Sequence, residues 1–443
     1  MINPSWNWWG NKMFKKVLVA NRGEIAVRII AACRQLAIST VVVYSTADEQ
    51  AQFVQMADEA ICVGPASAQE SYLNREAILM AAQITGSDAI HPGYGFLSED
   101  PLFATMVAEC GLTWIGPSPD QIQRYADKER SRELAQKRGV PTIPGSGLIT
   151  DDRQIKPAAE ELGFPVLLKA SFGGGGKGIR VAHDEQELSQ IIAVVRQESG
   201  ASFGSSPLYL ERDLQNARHI EVQVLGLNEQ IIILGDRNCS IQLHRQKVVE
   251  ESPANLTIEQ RERLYQAVHR LLDQSGYESL GTVEFLQVGE EFYFLEMNTR
   301  LQVEHGVTEE TTGIDIVQTQ IVVAAGQPEL VKVGDAQVHA IEARINATAP
   351  GQLVELEWPA TRIETGYAAG NQIAPYYDAL VGKIIVTAST RAQAVQKLRQ
   401  ALKQTKIAGV PTNLAAVEQL VTSPAFIQGT YDIRTYQNLL DGC

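Results

Sequence analysis

The stretch "TVEFLQVGEEFYFLEMN", residues 282–298, reads as two alternating strands around the turn "GEE". With that turn centred on Glu290, Val288 faces Phe292, Leu286 faces Phe294, and Glu284 falls opposite Glu296. Like charges in a cross-strand pair destabilise a sheet, and apolar neighbours sharpen the repulsion by lowering the local dielectric. A compensating cation is therefore expected. Oxygen ligands at this density suit Mg²⁺ or Mn²⁺, and Asn298, two residues beyond Glu296, lies on the same face. The competing reading is an exposed edge pair. If the chain stays extended through "EMNTRLQVE", then Glu296, Asn298, Arg300, Gln302 and Glu304 share one face. That line is a cradle for a small planar anion, with Arg300 as a bidentate fork and Glu304 as a base.

A second candidate is "SFGGGGKGIRV", residues 171–181, which sets Gly173, Gly174, Gly175 and Gly176 before Lys177 and Gly178. Each glycine gives up more conformational freedom on ordering than any other residue. The run is not a Walker A loop, because Ser171 stands where its first glycine belongs and Gly178 follows Lys177 in place of Ser or Thr. It joins two strand-like runs, so it should be a hairpin tip: either a mobile surface turn or a backbone cover over nucleotide phosphates. Lys169 ends an apolar run, where a charge needs a partner. Lys128 on a helix and Lys247 on a strand fit solvation or snorkelling as well as ligand binding. His219 and His244 read as partly buried histidines with no H-x-x-x-H spacing for a metal.

The elements that must position these residues fall into distinct stretches. From Lys15 to about Gly116, short apolar runs ("KVLVAN", "TVVVYS", "DAIHP", "LTWIG") alternate with helix-period segments, the signature of βαβ units and a parallel sheet. The first turn, "ANRGEIA", lacks the G-x-G-x-x-G of dinucleotide sites. Ser118 caps a long helix with Pro119 in its first turn, running through Lys128 to about Arg138. Strand "PVLLKAS", the glycine loop, strand "GIRVA", a helix and strand "PLYLERDL" form a small unit. Strands dominate from His219 to Gly289 around a helix near 257–275, and a mixed unit ends the chain.

The 443 residues, 44% of them hydrophobic, suffice for two or three domains. A formal charge of −14 argues against a nucleic-acid partner. Five dispersed cysteines without a CxxC pair suit neither a disulfide framework nor a zinc site, which points to a reducing cytoplasm. No window approaches the roughly 18 apolar residues of a membrane span. Trp8-Trp9-Gly10 must be encoded by TGGTGGGGN, G-rich where a bacterial ribosome-binding site would sit, so the natural chain is expected to begin at Met13; a frayed N-terminal arm is the alternative.

Taken together, "KVLVANRGEIAVRII", "HPGYGFLSE", "KASFGGGGKGIRV", "RHIEVQVLG", "QKVVEESPA" and "FLEMNTRLQVEHGVTE" resemble biotin carboxylase, the ATP-grasp component of biotin-dependent carboxylases. The resemblance covers the chain from about Phe14 onward. It implies an α/β and α+β ATP-grasp fold: an extension at 1–13, a Rossmann-like pre-ATP-grasp domain at 14–117, a helical linker at 118–140, a glycine-loop lid at 141–213, a catalytic core at 214–330, and a biotin carboxylase C-terminal domain at 331–443. It implies that bicarbonate attacks the ATP γ-phosphate to give carboxyphosphate and ADP, and that the carboxyl group passes to N1′ of biotin. By matching position, Lys128, Lys169, Glu211, Leu214, His219, Gln242 and Leu286 contact ATP, with the glycines and Lys177 over its phosphates. Glu284, Glu296 and Asn298 match the ligands of two Mg²⁺ ions. Lys247, Arg300, Gln302 and the backbone of Val303 match the bicarbonate site, Glu304 its base, and Arg344 the residue that stabilises the biotin enolate.

Three departures from the family pattern stand out. Arg245 replaces the usual His two residues before Lys247, Gly306 replaces a proline after the base, and the segment after Arg344 shrinks to "NATAPGQLVELEWPATRIETGY". No "AMKM"-type biotinylation segment occurs, so a separate biotin carboxyl carrier protein and separate carboxyltransferase subunits are implied, as in acetyl-CoA carboxylase of fatty-acid synthesis. The family commonly forms homodimers. Two other readings compete: another ATP-grasp carboxylate ligase, or a catalytically weak nucleotide-binding paralogue.

Overall fold

The computed structural model describes residues 13–170, 179–203, 208–331, 333–334 and 337–442. Residues 1–12 and the run holding Gly173, Gly174, Gly175, Gly176, Lys177 and Gly178 lie outside them. Strands β1 (Lys16–Val19), β2 (Ser39–Ser45), β3 (Glu59–Gly64), β4 (Ala89–His91) and β5 (Thr113–Trp114) form a parallel sheet in the order β3-β2-β1-β4-β5. A parallel sheet needs both faces covered. Val17 and Val19 accordingly pack with Ile25 and Ile29 of the helix Gly23–Gln35, while Leu18 turns to Ile78 and Phe103 of helices Arg75–Thr85 and Pro101–Glu109. The "ANRGE" turn ties strand ends together: the Asn21 amide donates to the carbonyls of Pro92 (2.6 Å) and Tyr94 (2.7 Å).

Ser118 and Gln121 make a reciprocal capping box. The helix they open ends at Ala126, and a second runs Lys128–Lys137. The single helix expected through Lys128 is broken because Asp127 is extended (ψ 115°) and its carboxylate accepts from the Glu129 and Arg130 amides, capping a new start.

Strands β6 (Val166–Ala170), β7 (Ile179–Ala182) and β8 (Leu208–Arg212) form a small antiparallel sheet ordered β7-β6-β8. The glycine run thus connects paired antiparallel strands, the hairpin read from the sequence. Strands β9 (Arg218–Leu227), β10 (Gln230–Leu243), β11 (Gln246–Ser252), β12 (Ser279–Val288), β13 (Glu291–Asn298) and β14 (His339–Asn346) continue the chain. The last hundred residues add β15 (Gly351–Gln352), β16 (Glu355–Glu357), β17 (Arg362–Thr365), β18 (Gln372–Ile373), β19 (Leu380–Ala388) and β20 (Lys406–Ala408). One eight-stranded sheet runs β13-β12-β9-β10-β11-β14-β19-β17, so C-terminal strands extend the sheet that carries the glutamates. Helix Ile258–Leu272 covers it through Leu264, Val268 and Leu271 against Val222, Phe285 and Phe294, and helix Arg391–Gln404 covers the C-terminal strands. Among the described residues no helix is long and apolar enough to cross a membrane.

Candidate active site

Glu296, Glu284, Glu221 and Arg237 stand side by side across β13, β12, β9 and β10. The opposition of Glu284 and Glu296 is as read from the alternation, but the route differs. The turn is the pair Gly289-Glu290, so Val288 faces Glu291, Leu286 faces Tyr293 and Phe285 faces Phe294; a register irregularity between Glu284 and Phe285 then brings the two glutamates together. One extra residue in one strand shifts pairing by a position, and the shorter turn and the irregularity compensate.

The extended line through Glu304 does not form. The chain leaves the sheet after Asn298, and Glu304 immediately precedes the helix His305–Thr312. The side chains converge by folding back. Arg300 donates from Nη2 to Asn298 Oδ1 (2.8 Å), from Nη1 to Gln302 Oε1 (2.8 Å) and from Nε to Glu99 Oε2 (2.9 Å). Asn298 Nδ2 and Gln302 Nε2 both donate to Glu284 Oε1, at 2.8 and 2.9 Å.

Lys247 is the hub. Its ammonium donates to Glu221 (2.5 Å), Glu304 (2.7 Å) and Glu284 (2.9 Å). Arg344 Nη2 lies 2.9 Å from Glu304 Oε2 and also pairs with Glu250. His219 Nε2 lies 2.8 Å from Glu284 Oε2, with Gln242 Nε2 2.7 Å from its Nδ1. Leu286 faces His219 across β12 and β9. Lys128 reaches Glu296 at 2.9 Å. Lys169 pairs with Glu211 on the small sheet, its ammonium 5.7 Å from the Tyr209 ring centre. Leu214 is half-buried between β8 and β9.

Burial alone would raise the Glu284 and Glu304 carboxyls. The cations outweigh it: Lys247 and His219 hold Glu284 well below the usual carboxylate range, and Lys247, Arg344 and Arg237 do the same for Glu304. Burial works against the charged Lys247, but Glu221, Glu284 and Glu304 raise its pKa well above the ordinary value. Burial wins at Lys169, lowering it despite Glu211, and at Glu250, pushed up to about 7.

The donor set fits a hard divalent cation. Glu284 and Glu296 are opposed carboxylates with the Asn298 amide beside them, all oxygen donors of the kind Mg²⁺ or Mn²⁺ takes, and the charge they present is answered here by Lys128 and Lys247. Glu99, Glu221, Arg237 and Glu250 escaped the sequence reading. Glu221 carried a signal, since it sits two residues beyond His219 and shares its face of β9. Arg237, wholly buried, holds Glu221 (2.5 Å), Gln223 (2.8 Å) and Thr308 (2.7 Å) and so fixes the residue that holds Lys247. Arg245 and His244 form a two-residue turn with positive φ of 67° and 50°. At Gly306 a Cβ would come within 2.5 Å of Ile385 Cδ1, so the missing side chain matches its packing.

Residues 13–122 match the family described as biotin carboxylase, N-terminal domain; residues 127–331 match the carbamoyl-phosphate synthase L chain ATP-binding domain; residues 342–438 match the biotin carboxylase C-terminal domain. The biotin carboxylase of Allochromatium vinosum is 44% identical over 446 residues, covering 97% of this chain and 99% of that one. The chain belongs to the biotin carboxylase family. Among solved biotin carboxylases, the domain dimer of Hydrogenobacter thermophilus 2-oxoglutarate carboxylase, in complex with MgADP, ADP and bicarbonate, superposes with a TM-score of 0.90 at 43% identity, covering 96% of this chain and 98% of that one. The Campylobacter jejuni biotin carboxylase in complex with βγ-ATP also gives 0.90, at 40% identity over 96% and 99% of the two chains. The mitochondrial propionyl-CoA carboxylase alpha chain of Homo sapiens is 43% identical across 96% of this chain, which spans 61% of its length.

Proposed function

We propose that this biotin carboxylase uses ATP and bicarbonate to carboxylate biotin borne on a separate biotin carboxyl carrier protein. The observation that carries the reading is the convergence of Lys247, Glu284, Glu304 and Arg344 on one point of the sheet, with Arg300 and Gln302 joined to it. Arg300, Gln302, Lys247 and the Val303 amide bind bicarbonate. Glu304 takes its proton, and the resulting dianion attacks the γ-phosphorus of ATP while the bond to the ADP oxygen breaks. Positive charge between two negative reactants is what this phosphoryl transfer needs, and Lys169, Lys247 and Arg300 supply it. Glu284, Glu296 and Asn298 would hold Mg²⁺ or Mn²⁺, which when bound neutralises phosphate charge. Lys128, Glu211, Leu214, His219, Gln242 and Leu286 are assigned to ATP, as are Gly173, Gly174, Gly175, Gly176, Lys177 and Gly178; phosphate leaves carboxyphosphate and takes the N1′ proton of biotin, Arg344 stabilises the resulting enolate, and N1′ takes up the carboxyl group.

The boundaries at 14–117, 118–140, 141–213, 214–330 and 331–443 belong to the same proposal, as do a homodimer, carboxyltransferase partners, a cytoplasmic location and a place in acetyl-CoA carboxylase. The test is ADP release with Mg²⁺ATP, bicarbonate and free biotin. Omission of bicarbonate or biotin should abolish stimulation. ATPase activity dependent on another organic or amino acid would point to a different ATP-grasp ligase, and nucleotide binding without turnover to a weak paralogue.

A further inference from the structure

Lys383 lies in the middle of β19, its side chain completely buried, with Glu364 of β17 as one cross-strand neighbour and Arg344 of β14 as the other. A buried ammonium needs compensation. Glu364 supplies it at 2.5 Å and Glu24 of the helix Gly23–Gln35 at 3.3 Å. Charge balance is met by those two carboxylates, yet the ammonium spends a third donor on the backbone carbonyl of Val303, at 2.6 Å. That carbonyl belongs to the peptide joining Val303 to Glu304, within the irregular stretch between β13 and the helix His305–Thr312.

The approach of Glu24 is set by close backbone packing. A Cβ on Gly366 would come within 2.6 Å of the Gly23 carbonyl carbon, so the end of β17 rests directly on the start of that helix. Glu24 also accepts from the Tyr94 hydroxyl. One ammonium therefore ties the N-terminal unit and two C-terminal strands to the peptide before the base.

We propose that Lys383 is a positioning residue: it fixes the Val303–Glu304 peptide, and with it the direction of the Val303 amide and the Glu304 carboxylate toward bicarbonate. The inference rests on the bicarbonate assignment above. Hydrogen exchange of the 299–304 backbone and steady-state kinetics test it in the full chain, comparing wild type, Glu364→Gln and Lys383→Met/Glu364→Gln. The double variant removes the buried charge pair together, and Glu24, already raised by burial, can take up a proton. In it, exchange at 299–304 should quicken, and kcat/KM for bicarbonate should fall about 10- to 100-fold, the scale of a misplaced reacting group, with KM for ATP within about twofold. Glu364→Gln, which retains the lysine, should change neither measure by more than about twofold. If the double variant does not fold, Lys383→Arg carries the same test, because a planar fork cannot reproduce the ammonium's three-way geometry. Unchanged exchange overturns the positioning role, whatever the activity. Faster exchange with bicarbonate and ATP constants moving together overturns its link to bicarbonate. A wild type whose ADP release ignores bicarbonate sinks the functional reading, while exchange still decides whether Lys383 holds the peptide.

Discussion

Replacing Lys247 with methionine removes a charge that three carboxylates share while keeping most of the side-chain volume. Breaking a buried ion pair by deleting one partner costs about 3–5 kcal/mol. The low end applies here, since every carboxylate keeps a second partner: Glu221 has Arg237 at 2.5 Å, Glu284 has His219 at 2.8 Å, and Glu304 has Arg344 at 2.9 Å. For a unit the size of residues 127–331, a loss of about 3 kcal/mol lowers Tm by roughly 6–12 °C. The pH dependence has a definite sign. Folded Glu284 and Glu304 lie below the ordinary 4.5, so their stabilising contribution is present above that value and lost as pH falls through the folded pKa. In the variant their pKa values rise, protonation relieves the repulsion sooner on acidification, and the gap to wild type narrows toward acid pH. Mg²⁺ without nucleotide should raise the variant's midpoint more than the wild type's, because a divalent cation restores the missing charge. Differential scanning calorimetry across pH with and without Mg²⁺ reads all three. A midpoint within about 2 °C of wild type at neutral pH, a shift worth under 1 kcal/mol for a unit of this size, would refute the hub role of Lys247.

Glu304→Gln should lower bicarbonate- and biotin-dependent ADP release by about 10²- to 10⁴-fold, the usual worth of a general base, with KM for ATP little changed in the same assay. Arg344→Ala should slow carboxybiotin formation by roughly 10²- to 10³-fold, as for loss of one oxyanion donor, while leaving much of the biotin-independent ATP hydrolysis; equal losses in both would place Arg344 outside the biotin step. Glu250 has a folded pKa of about 7 against an ordinary 4.5, so its share of stability is complete below 4.5 and lost as pH rises through 7. Urea unfolding of wild type and Glu250→Gln should therefore show the wild-type advantage shrinking across that window and levelling off above it.

The sequence exposed what is local and periodic. Opposed Glu284 and Glu296 follow from alternation within a single hairpin, and the glycine hairpin follows from strand-like runs on either side. What stayed hidden is nonlocal. Glu99 reaches Arg300 from a loop two hundred residues away, and Lys383 reaches Val303 from a strand eighty residues on, distances over which periodicity carries no information. Local reading also failed where a polar side chain competes with regular structure: Asp127 breaks a helix whose apolar spacing runs on, and Asn298, Arg300 and Gln302 bond to one another once the strand ends, so alternation past Asn298 does not place them on a line.

An acidic chain that handles two anions is less paradoxical once the pairing is traced. Among the described residues, each cation assigned to a substrate is held by a protein carboxylate: Lys128 by Glu296, Lys169 by Glu211, Lys247 by Glu284 and Glu304, Arg300 by Glu99, and Arg344 by Glu250 and Glu304. These partners hold the cations in place before substrate arrives, so little reorganisation remains when phosphate or bicarbonate oxygens take over a share of the same donors. The composition argues against a broad basic face, but a net charge of −14 says nothing about a few cations focused at one point. The same pairing bears on the base role proposed for Glu304, whose pKa is depressed. Two of the three cations that depress it, Lys247 and Arg344, are the ones assigned to the substrates, so binding of the substrate anions should loosen their hold on the carboxylate and raise its proton affinity when a proton must be taken.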